Sequence, residues 1–236
     1  MFFRTFLLSV FLILITHAQA QSALPSPIQR QVESQDVLVI VLGQPITVAD
    51  VLPSEDVRKQ MREGANGNYA EMLSFTVDMN TSNKVLEQLL NDYASKKGIV
   101  ADAQLVGKFI DKFGGENSQE NSKPANSTSE NRASENSAHE DHASSKAIEE
   151  IAKHQVIKYL TEKSLYEEFG GTVIFRQSNP QMPIDAYRTM LSQYSTQGHL
   201  TFNDSELEEA FWSSFKAPFK YIVPAENVDF SQPWWL

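Results

Sequence analysis

Cysteine is absent from this chain of 236 residues. The absence excludes disulfide bonds, thiol catalysis, thiolate metal sites and a lipid anchor attached through a cysteine. The folded part of the chain must therefore be held together by side-chain packing alone.

Positive charge is scarce as well. The chain has 20 lysine and arginine residues against 30 aspartate and glutamate residues, which gives a formal net charge of −10. An acidic protein repels phosphate backbones, so we do not expect nucleic acid as a partner. The simplest consequence of the charge is solubility.

Recognisable catalytic motifs are missing too. The chain contains neither the Gly-x-Ser-x-Gly turn of serine hydrolases nor a glycine-rich phosphate loop. His139-Glu140-Asp141-His142 is one residue short of the H-E-x-x-H spacing and lies in a polar tract. A metal site needs three or four ligands held in place, so we expect no metal and no cofactor.

The first twenty residues have the three parts of a secretory signal peptide. Arg4 supplies positive charge, Phe6 to Ile15 form an apolar run, and Ala18-Gln19-Ala20 supplies a cleavage site. The run is shorter than the roughly 20 apolar residues that span a bilayer. We therefore predict cleavage near Ala20, no stable membrane insertion afterwards, and, given the missing cysteines, a periplasmic location.

Apolar residues in the rest of the chain recur mostly with helical spacing. They predict a mainly α fold, or an α+β fold with a few short strands. A buried strand is expected over Val37 to Leu42, and short strands over 46–48, 172–175 and 221–223. Thr47 could instead cap a helical turn. Helices are predicted over 53–64, 69–80, 82–97, 102–113, 146–169, 183–197 and 205–217.

Two segments lack the apolar residues that a folded core needs. Residues 21–35 are polar and contain two prolines, which predicts a flexible leader. Residues 116–145 consist mainly of Ser, Asn, Glu and Ala, and predict a disordered linker because they cannot offset the entropy of ordering. The linker separates a helical domain over 36–115 from a helix and an α+β region over 146–236.

Four residues are candidates for contact with a peptide. Met61, Met72, Phe75 and Met79 lie on two predicted helices. Methionine and aromatic side chains repack around varied partners, so the four could line an adaptable groove. Helical stripes are more often core, and that alternative is favoured. Trp234-Trp235 near the end of the chain could dock on the protein itself or on a partner.

Residues 37–113 resemble a known family. The strand and turn Val41-Leu42-Gly43-Gln44-Pro45-Ile46-Thr47 precede a helix of the form Leu86-x-x-Leu89-Leu90-x-x-x-Ala94-x-x-x-Gly98-Ile99, and Val100-Ala101-Asp102 opens the next helix. This arrangement is similar to the N-terminal peptide-binding domain of SurA/PrsA-type periplasmic chaperones. The family usually has Asn where Leu42 stands, and S-D-x-E where Ala101-Asp102-Ala103 stands.

The resemblance implies a non-enzymatic chaperone that binds unfolded or extended polypeptides, with helix 146–169 returning to the helical domain. The family's parvulin-type isomerase would be missing, because 116–145 is too short and too polar to form one. An apolar cleft between 37–113 and helix 146–169 would favour this function, and a closed core there would exclude it.

Two other functions stay open. One is an envelope enzyme of unknown chemistry with a site in 170–236, where His199, Arg176 or Asp185 would have to converge in a pocket. The other is a structural interaction module, for which Trp234-Trp235 would be the contact. Asp185 lacks a visible partner in the sequence, so a surface carboxylate is its simpler interpretation.

Overall fold

The structure is a computed structural model that describes residues 36–114 and 137–236, with the backbone alone for 137–145. The predicted signal peptide, the leader and the linker as far as residue 136 lie outside the described residues, as do the side chains of His139 to His142. Helices dominate and five strands are short, so the predicted mainly α class is confirmed. The elements are β1 Val37–Val41, β2 Gln44–Thr47, α1 Val48–Val51, α2 Glu55–Gly64, α3 Tyr69–Lys96, α4 Ala103–Phe113, α5 Ser137–Phe169, β3 Ile174–Arg176, β4 Asn179–Met182, α6 Ile184–Thr196, β5 Leu200–Phe202 and α7 Ser205–Ser213.

Helix α3 is one continuous element of 28 residues. The prediction of two helices, over 69–80 and 82–97, was therefore wrong. The hydroxyl groups of Thr81 and Ser82, at the predicted boundary, donate hydrogen bonds to the carbonyls of Val77 and Asp78 one turn earlier. Such bonds satisfy the hydroxyl inside the helix and let it continue.

Side-chain caps begin three of the helices close to their predicted starts. The hydroxyl of Ser54 accepts a hydrogen bond from the Val57 amide at the start of α2. Asp102 does the same for Leu105 in α4, and Asp204 for Leu207 in α7. Each cap stabilises its helix by about 1 kcal/mol. Helix α5 ends at Phe169 as predicted, but it begins at Ser137 rather than at 146.

Strand β1 is the centre of a three-stranded antiparallel sheet with the order β2-β1-β5. The turn between β1 and β2 places Leu42 and Gly43 at φ of 52° and 78°, the left-handed region that a two-residue hairpin requires. Strand β5 was not predicted, because three residues carry too little periodicity. It pairs Leu200 with Val41 and so joins the region 146–236 to the region 36–115.

The main core lies around this sheet. Its fully buried members come from both predicted regions, and they include Val39, Val41, Leu89, Leu165 and Leu191. The regions 36–115 and 146–236, on either side of the predicted linker, therefore share one hydrophobic core. The predicted strand over 221–223 is present only as a single bridge between Ile222 and Ile174 of the β3–β4 hairpin.

A second, smaller core holds α4 against α5. Trp235 is 1% exposed and packs edge-on against Phe109 of α4 and Tyr159 of α5, at ring-centroid distances of 5.4 and 5.8 Å. Lys112 of α4 donates a hydrogen bond to the Trp235 carbonyl. Trp235 thus docks on the protein itself, whereas Trp234 is half-exposed.

Gly171 lies where α5 leads into β3, and its conformation leaves no room for a side chain. Its φ is +93°, and an added Cβ would lie 2.6 Å from the Cβ of Asp185. We expect Gly171→Ala to lower the free energy of unfolding by about 1–3 kcal/mol, measured by urea titration. Gly198→Ala is the matched control, because its φ is +75° but nothing lies within 4 Å of the added atom. Equal losses in the two variants would contradict the steric account.

Candidate functional site

A cleft of about 520 Å³ opens between α3, α5 and the β3–β4 hairpin. Its apolar lining comes from Leu86 and Leu90 of α3, Ile157 of α5 and Met182 of β4. The cleft thus lies between residues 37–113 and the helix that follows the connecting segment, where the sequence analysis looked for one. The two helices do not close on each other along this part of their length.

Hydrogen bonds tie α3 to α5 at one end of the cleft. The Tyr93 hydroxyl donates to the Glu168 carboxylate at 2.7 Å and lies 3.1 Å from the Ser164 hydroxyl, while Lys97 pairs with Glu168 at 2.9 Å. Burial and the nearby carboxylate raise the pKa of Tyr93 to about 12, so it stays a neutral donor. Residues lining the cleft precede these contacts in both helices. The cleft therefore lies on the N-terminal side of the contacts.

Exposed apolar side chains on the N-terminal half of α3 share a side of the helix with the wall of the cleft. Met72, Phe75 and Met79 are 40%, 66% and 46% exposed. At 100° per residue, these side chains project within about 60° of Leu86 and Leu90, which line the cleft. We call these five residues the α3 stripe. Met61 of α2 is half-buried and does not belong to it.

The core alternative for Met72, Phe75 and Met79 was therefore wrong. The opposite face of α3 is the buried one, and near these residues it carries Ser74, Val77 and Thr81. Two of those three side chains are polar, so the sequence placed the stronger apolar signal on the exposed face.

Helix α5 extends its own apolar surface in the same direction. Ile151 is 53% exposed and lies one turn before His154, which lines the cleft. Residues three apart share a helix face. Apolar surface thus continues beyond the cleft on both helices.

Glu162 is the polar centre of the cleft. It is 5% exposed, and its Oε1 accepts hydrogen bonds from the Tyr187 hydroxyl at 2.7 Å and from the Asn179 amide at 2.6 Å. Burial raises the pKa of Glu162 to about 7, although Lys158, Tyr187 and Asn179 each oppose the increase. Burial and the neighbouring Glu162 raise the pKa of Tyr187 as well, so its hydroxyl remains protonated. The Glu162 carboxyl can accordingly gain or lose a proton near neutral pH.

Two cations line the same cleft. Lys158 lies one turn before Glu162 on α5, and Arg176 is at the end of β3. Neither forms an ion pair within the part of the chain that the structure describes. Neutral polar groups, the side chains of Asn83, Asn91 and Ser178, complete the lining.

The three residues named for an enzyme site do not converge. Only Arg176 lines the cleft. Asp185 accepts the Thr172 amide at 2.9 Å and pairs with Arg188 at 3.0 Å. Burial alone would raise the pKa of Asp185, but the Thr172 hydrogen bonds and the Arg188 charge hold it below its usual value. His199 packs against the ring of Tyr194 at 6.3 Å.

The sequence analysis missed Glu162, Asn179 and Tyr187 as site residues. Tyr187 belongs to the helix predicted over 183–197 and is buried, but its hydroxyl had no predicted partner. A signal for Glu162 was present, because Ile151, Glu162, Leu165 and Phe169 follow one another at spacings that belong to one helix face. A carboxylate on an apolar face is a sign of a buried polar site.

Among the described residues, no group of three or more histidine, aspartate or glutamate side chains is placed to hold a metal ion. No helix in residues 36–114 or 137–236 combines the length and apolarity that a membrane span requires.

Comparison with known proteins adds no relative. No family model matches the chain, and searches of curated proteins and of solved structures also find no match. The resemblance to SurA/PrsA-type domains therefore stays a prediction based on the motifs in residues 37–113.

Proposed function

We propose that this is an exported, chaperone-like protein that binds apolar segments of unfolded or extended polypeptides in the cleft and along the α3 stripe. It would do so in the periplasm, without catalysis or a cofactor. The observation that carries the proposal is that exposed Met72, Phe75 and Met79 project from the same side of α3 as Leu86 and Leu90 of the cleft wall. Single exposed apolar residues are ordinary, whereas several grouped on one face indicate an interaction site.

The chemistry of the lining fits a polypeptide. Leucine, isoleucine and methionine side chains can cover apolar side chains of the bound segment, and the amides of Asn83 and Asn91 can both donate to and accept from its peptide groups. Methionine adapts to partners of different shape, because its unbranched side chain has three rotatable bonds. These properties support binding of many sequences rather than one.

The predicted linker of this chain, residues 116–145, is a poor occupant of the α3 stripe. Between Phe113 and Ile148 the sequence contains no Leu, Ile, Val, Phe, Tyr, Trp or Met. It therefore offers no large apolar side chain that could cover Phe75 or Met79. A polypeptide with such side chains is the better match.

Binding of this kind works by covering apolar surface. Burying one large apolar side chain is worth about 1.5–3 kcal/mol, and two or three such contacts exceed the cost of ordering an extended segment by only a small margin. The complex is then weak and reversible, which allows a polypeptide to be held and released without nucleotide hydrolysis.

Suppression of aggregation tests the proposal. We expect the wild-type chain to suppress light scattering by a thermally unfolded client enzyme, and Phe75→Glu to require at least about fivefold more protein for the same effect, since a loss of about 1 kcal/mol corresponds to that factor. Val100→Glu is the matched control, because Val100 is 74% exposed but follows the opposite end of α3. Failure of the wild-type chain to suppress scattering, or equal losses in both variants, would refute the proposal.

Glu162 favours a second candidate function, general acid–base catalysis in the cleft. A buried carboxyl with a pKa near 7, beside Lys158 and Arg176, is the type of group that proton transfer at neutral pH requires. The test is a turnover assay in which Glu162→Gln keeps the fold and abolishes activity.

The interaction-module alternative now rests on Trp234 alone, because Trp235 is part of the second core.

A further inference from the structure

We propose that the cleft prefers polypeptide segments that carry a carboxylate, and that Lys158 and Arg176 receive this carboxylate beside Glu162. The inference rests on the proposed function, because it names the chemistry of the segment that the same cleft would bind. It adds a polar anchor to the apolar contacts of the α3 stripe.

The placement of the two cations is the first argument. Lys158 comes from α5 and Arg176 from β3, yet both line one cleft. Arg188 on neighbouring α6 has Asp185 as its ion-pair partner at 3.0 Å, and Lys97 at the closed end of the cleft has Glu168 at 2.9 Å. Among the described residues, no carboxylate lies within salt-bridge distance of Lys158 or Arg176, although acidic residues outnumber basic ones by 30 to 20 in this chain. The charge of Lys158 acts on the Glu162 carboxyl from a greater distance.

When the Glu162 carboxyl is protonated, it does not neutralise the positive charges of Lys158 and Arg176. Its buried carboxyl already accepts two hydrogen bonds at Oε1 from Tyr187 and Asn179. In the protonated form it can donate a hydrogen bond to a ligand carboxylate, and such bonds between a neutral acid and a carboxylate are strong. The ionised form would instead repel the ligand.

The preference should therefore depend on pH. The titratable and charged groups facing Glu162 are Lys158 and His154 of α5, Glu87 of α3, Arg176 of β3 and Tyr187 of α6. Tyr187 stays neutral because burial and Glu162 raise its pKa. Deprotonation of Glu162 makes the cleft more negative as pH rises. Carboxylate binding should weaken in the same direction.

Fluorescence anisotropy with labelled octapeptides of alternating leucine and serine tests the inference. One probe has a free C-terminal carboxylate, one is amidated, and a third is amidated but has an internal glutamate. At pH 6 we expect at least one of the two probes with a carboxylate to bind about tenfold more tightly than the amidated probe that has none. A single charge-assisted contact of about 1.4 kcal/mol would give this factor. The first and third probes together show whether a terminal or a side-chain carboxylate is preferred.

The variants decide which residues are responsible. In the double variant Lys158→Gln, Arg176→Gln, the advantage of the carboxylate should fall to within twofold, while the double variant Lys108→Gln, Lys216→Gln, which removes two exposed charges elsewhere, should retain it. Raising the pH to 8.5 should reduce the advantage in the wild-type chain but not in a Glu162→Gln, His154→Gln variant. Persistence of the advantage in the Lys158, Arg176 variant would overturn the assignment.

The failure of this inference can be told apart from the failure of the proposed function. If both carboxylate probes bind as the amidated probe does, and Phe75→Glu weakens all three, the carboxylate preference is wrong and the apolar site stands. If no probe binds, or Phe75→Glu changes nothing, both proposals are wrong.

Discussion

Glu162→Gln is expected to raise the free energy of unfolding by about 3 kcal/mol at pH 8.5. Burial holds the pKa of Glu162 at about 7 in the folded chain, against a usual value of 4.5. Below 4.5 the carboxyl is protonated in both the folded and the unfolded chain. Between 4.5 and 7 the folded chain binds more protons than the unfolded one, so stability falls as pH rises, and above 7 the full cost of the buried charge is present. Glutamine removes that charge and keeps an oxygen that can accept from Tyr187 and Asn179.

Urea unfolding at pH 4.5 and pH 8.5 checks this expectation. The gain in the free energy of unfolding caused by Glu162→Gln should be large at pH 8.5 and small at pH 4.5. Glu168→Gln is the control of opposite sign, because hydrogen bonds from Tyr93 and Lys97 lower the pKa of Glu168. That variant should lose stability at pH 8.5 relative to the wild-type chain. A Glu162→Gln gain of equal size at both pH values would mean that the charge of Glu162 is not the cause.

Trp235→Ala is expected to lower the free energy of unfolding by about 3–5 kcal/mol, the usual cost of truncating a buried large aromatic side chain. Trp235 is 1% exposed and forms the centre of the second core with Phe109 and Tyr159. Its removal would leave a cavity between α4 and α5, and Lys112 would lose the well-placed carbonyl that it now binds. The loss of stability should be greatest in α4, which packs in the second core and not around the main sheet.

Two measurements separate this local effect from general destabilisation. Denaturant titration gives the total loss, and hydrogen exchange should show a greater increase in the amides of α4 than in those of β1. Trp234→Ala is the matched control, since Trp234 is 48% exposed, and we expect it to cost less than about 1 kcal/mol. Equal losses in the two variants, or faster exchange spread evenly over α4 and β1, would contradict the role of Trp235.

Much of the local structure could be predicted from the sequence, because caps and apolar stripes are short-range signals. Asp102 and Asp204 marked the starts of α4 and α7, and the stripe of α6 from Ile184 to Tyr194 is buried as its spacing predicts. Strand β1 was predicted from its run of β-branched residues. Each of these elements is specified by residues within one or two turns of one another.

Long-range structure could not be predicted in the same way. Residues of β5 form a strand only because they pair with β1, about 160 residues earlier in the chain. Helix α3 continues through Thr81 and Ser82, whose hydroxyls bond within the helix, where the sequence analysis had placed the boundary between two helices. Pairing and side-chain satisfaction are properties of the folded chain, and three-residue segments do not encode them locally.

The candidate site was predicted in part. Spacing identified Met72, Phe75 and Met79 as one group, but not which face of α3 is buried, since Ser74 and Thr81 on the buried face weaken its apolar signal. The polar centre at Glu162 could not be assembled from the sequence, because its partners Asn179 and Tyr187 belong to elements that meet only in the fold. The cleft is lined by side chains from α3, α5 and the β3–β4 hairpin, which are brought together only by the fold.

Site-specific photo-crosslinking tests the central claim most directly. A photoreactive phenylalanine analogue is placed at position 75, and in a separate variant at position 100, and each full chain is irradiated with a labelled, reduced and unfolded client polypeptide. The account predicts that the client crosslinks at position 75, that excess unlabelled client competes for this crosslink, and that position 100 gives little product. Equal crosslinking at both positions, or none at position 75, would contradict binding along the α3 stripe.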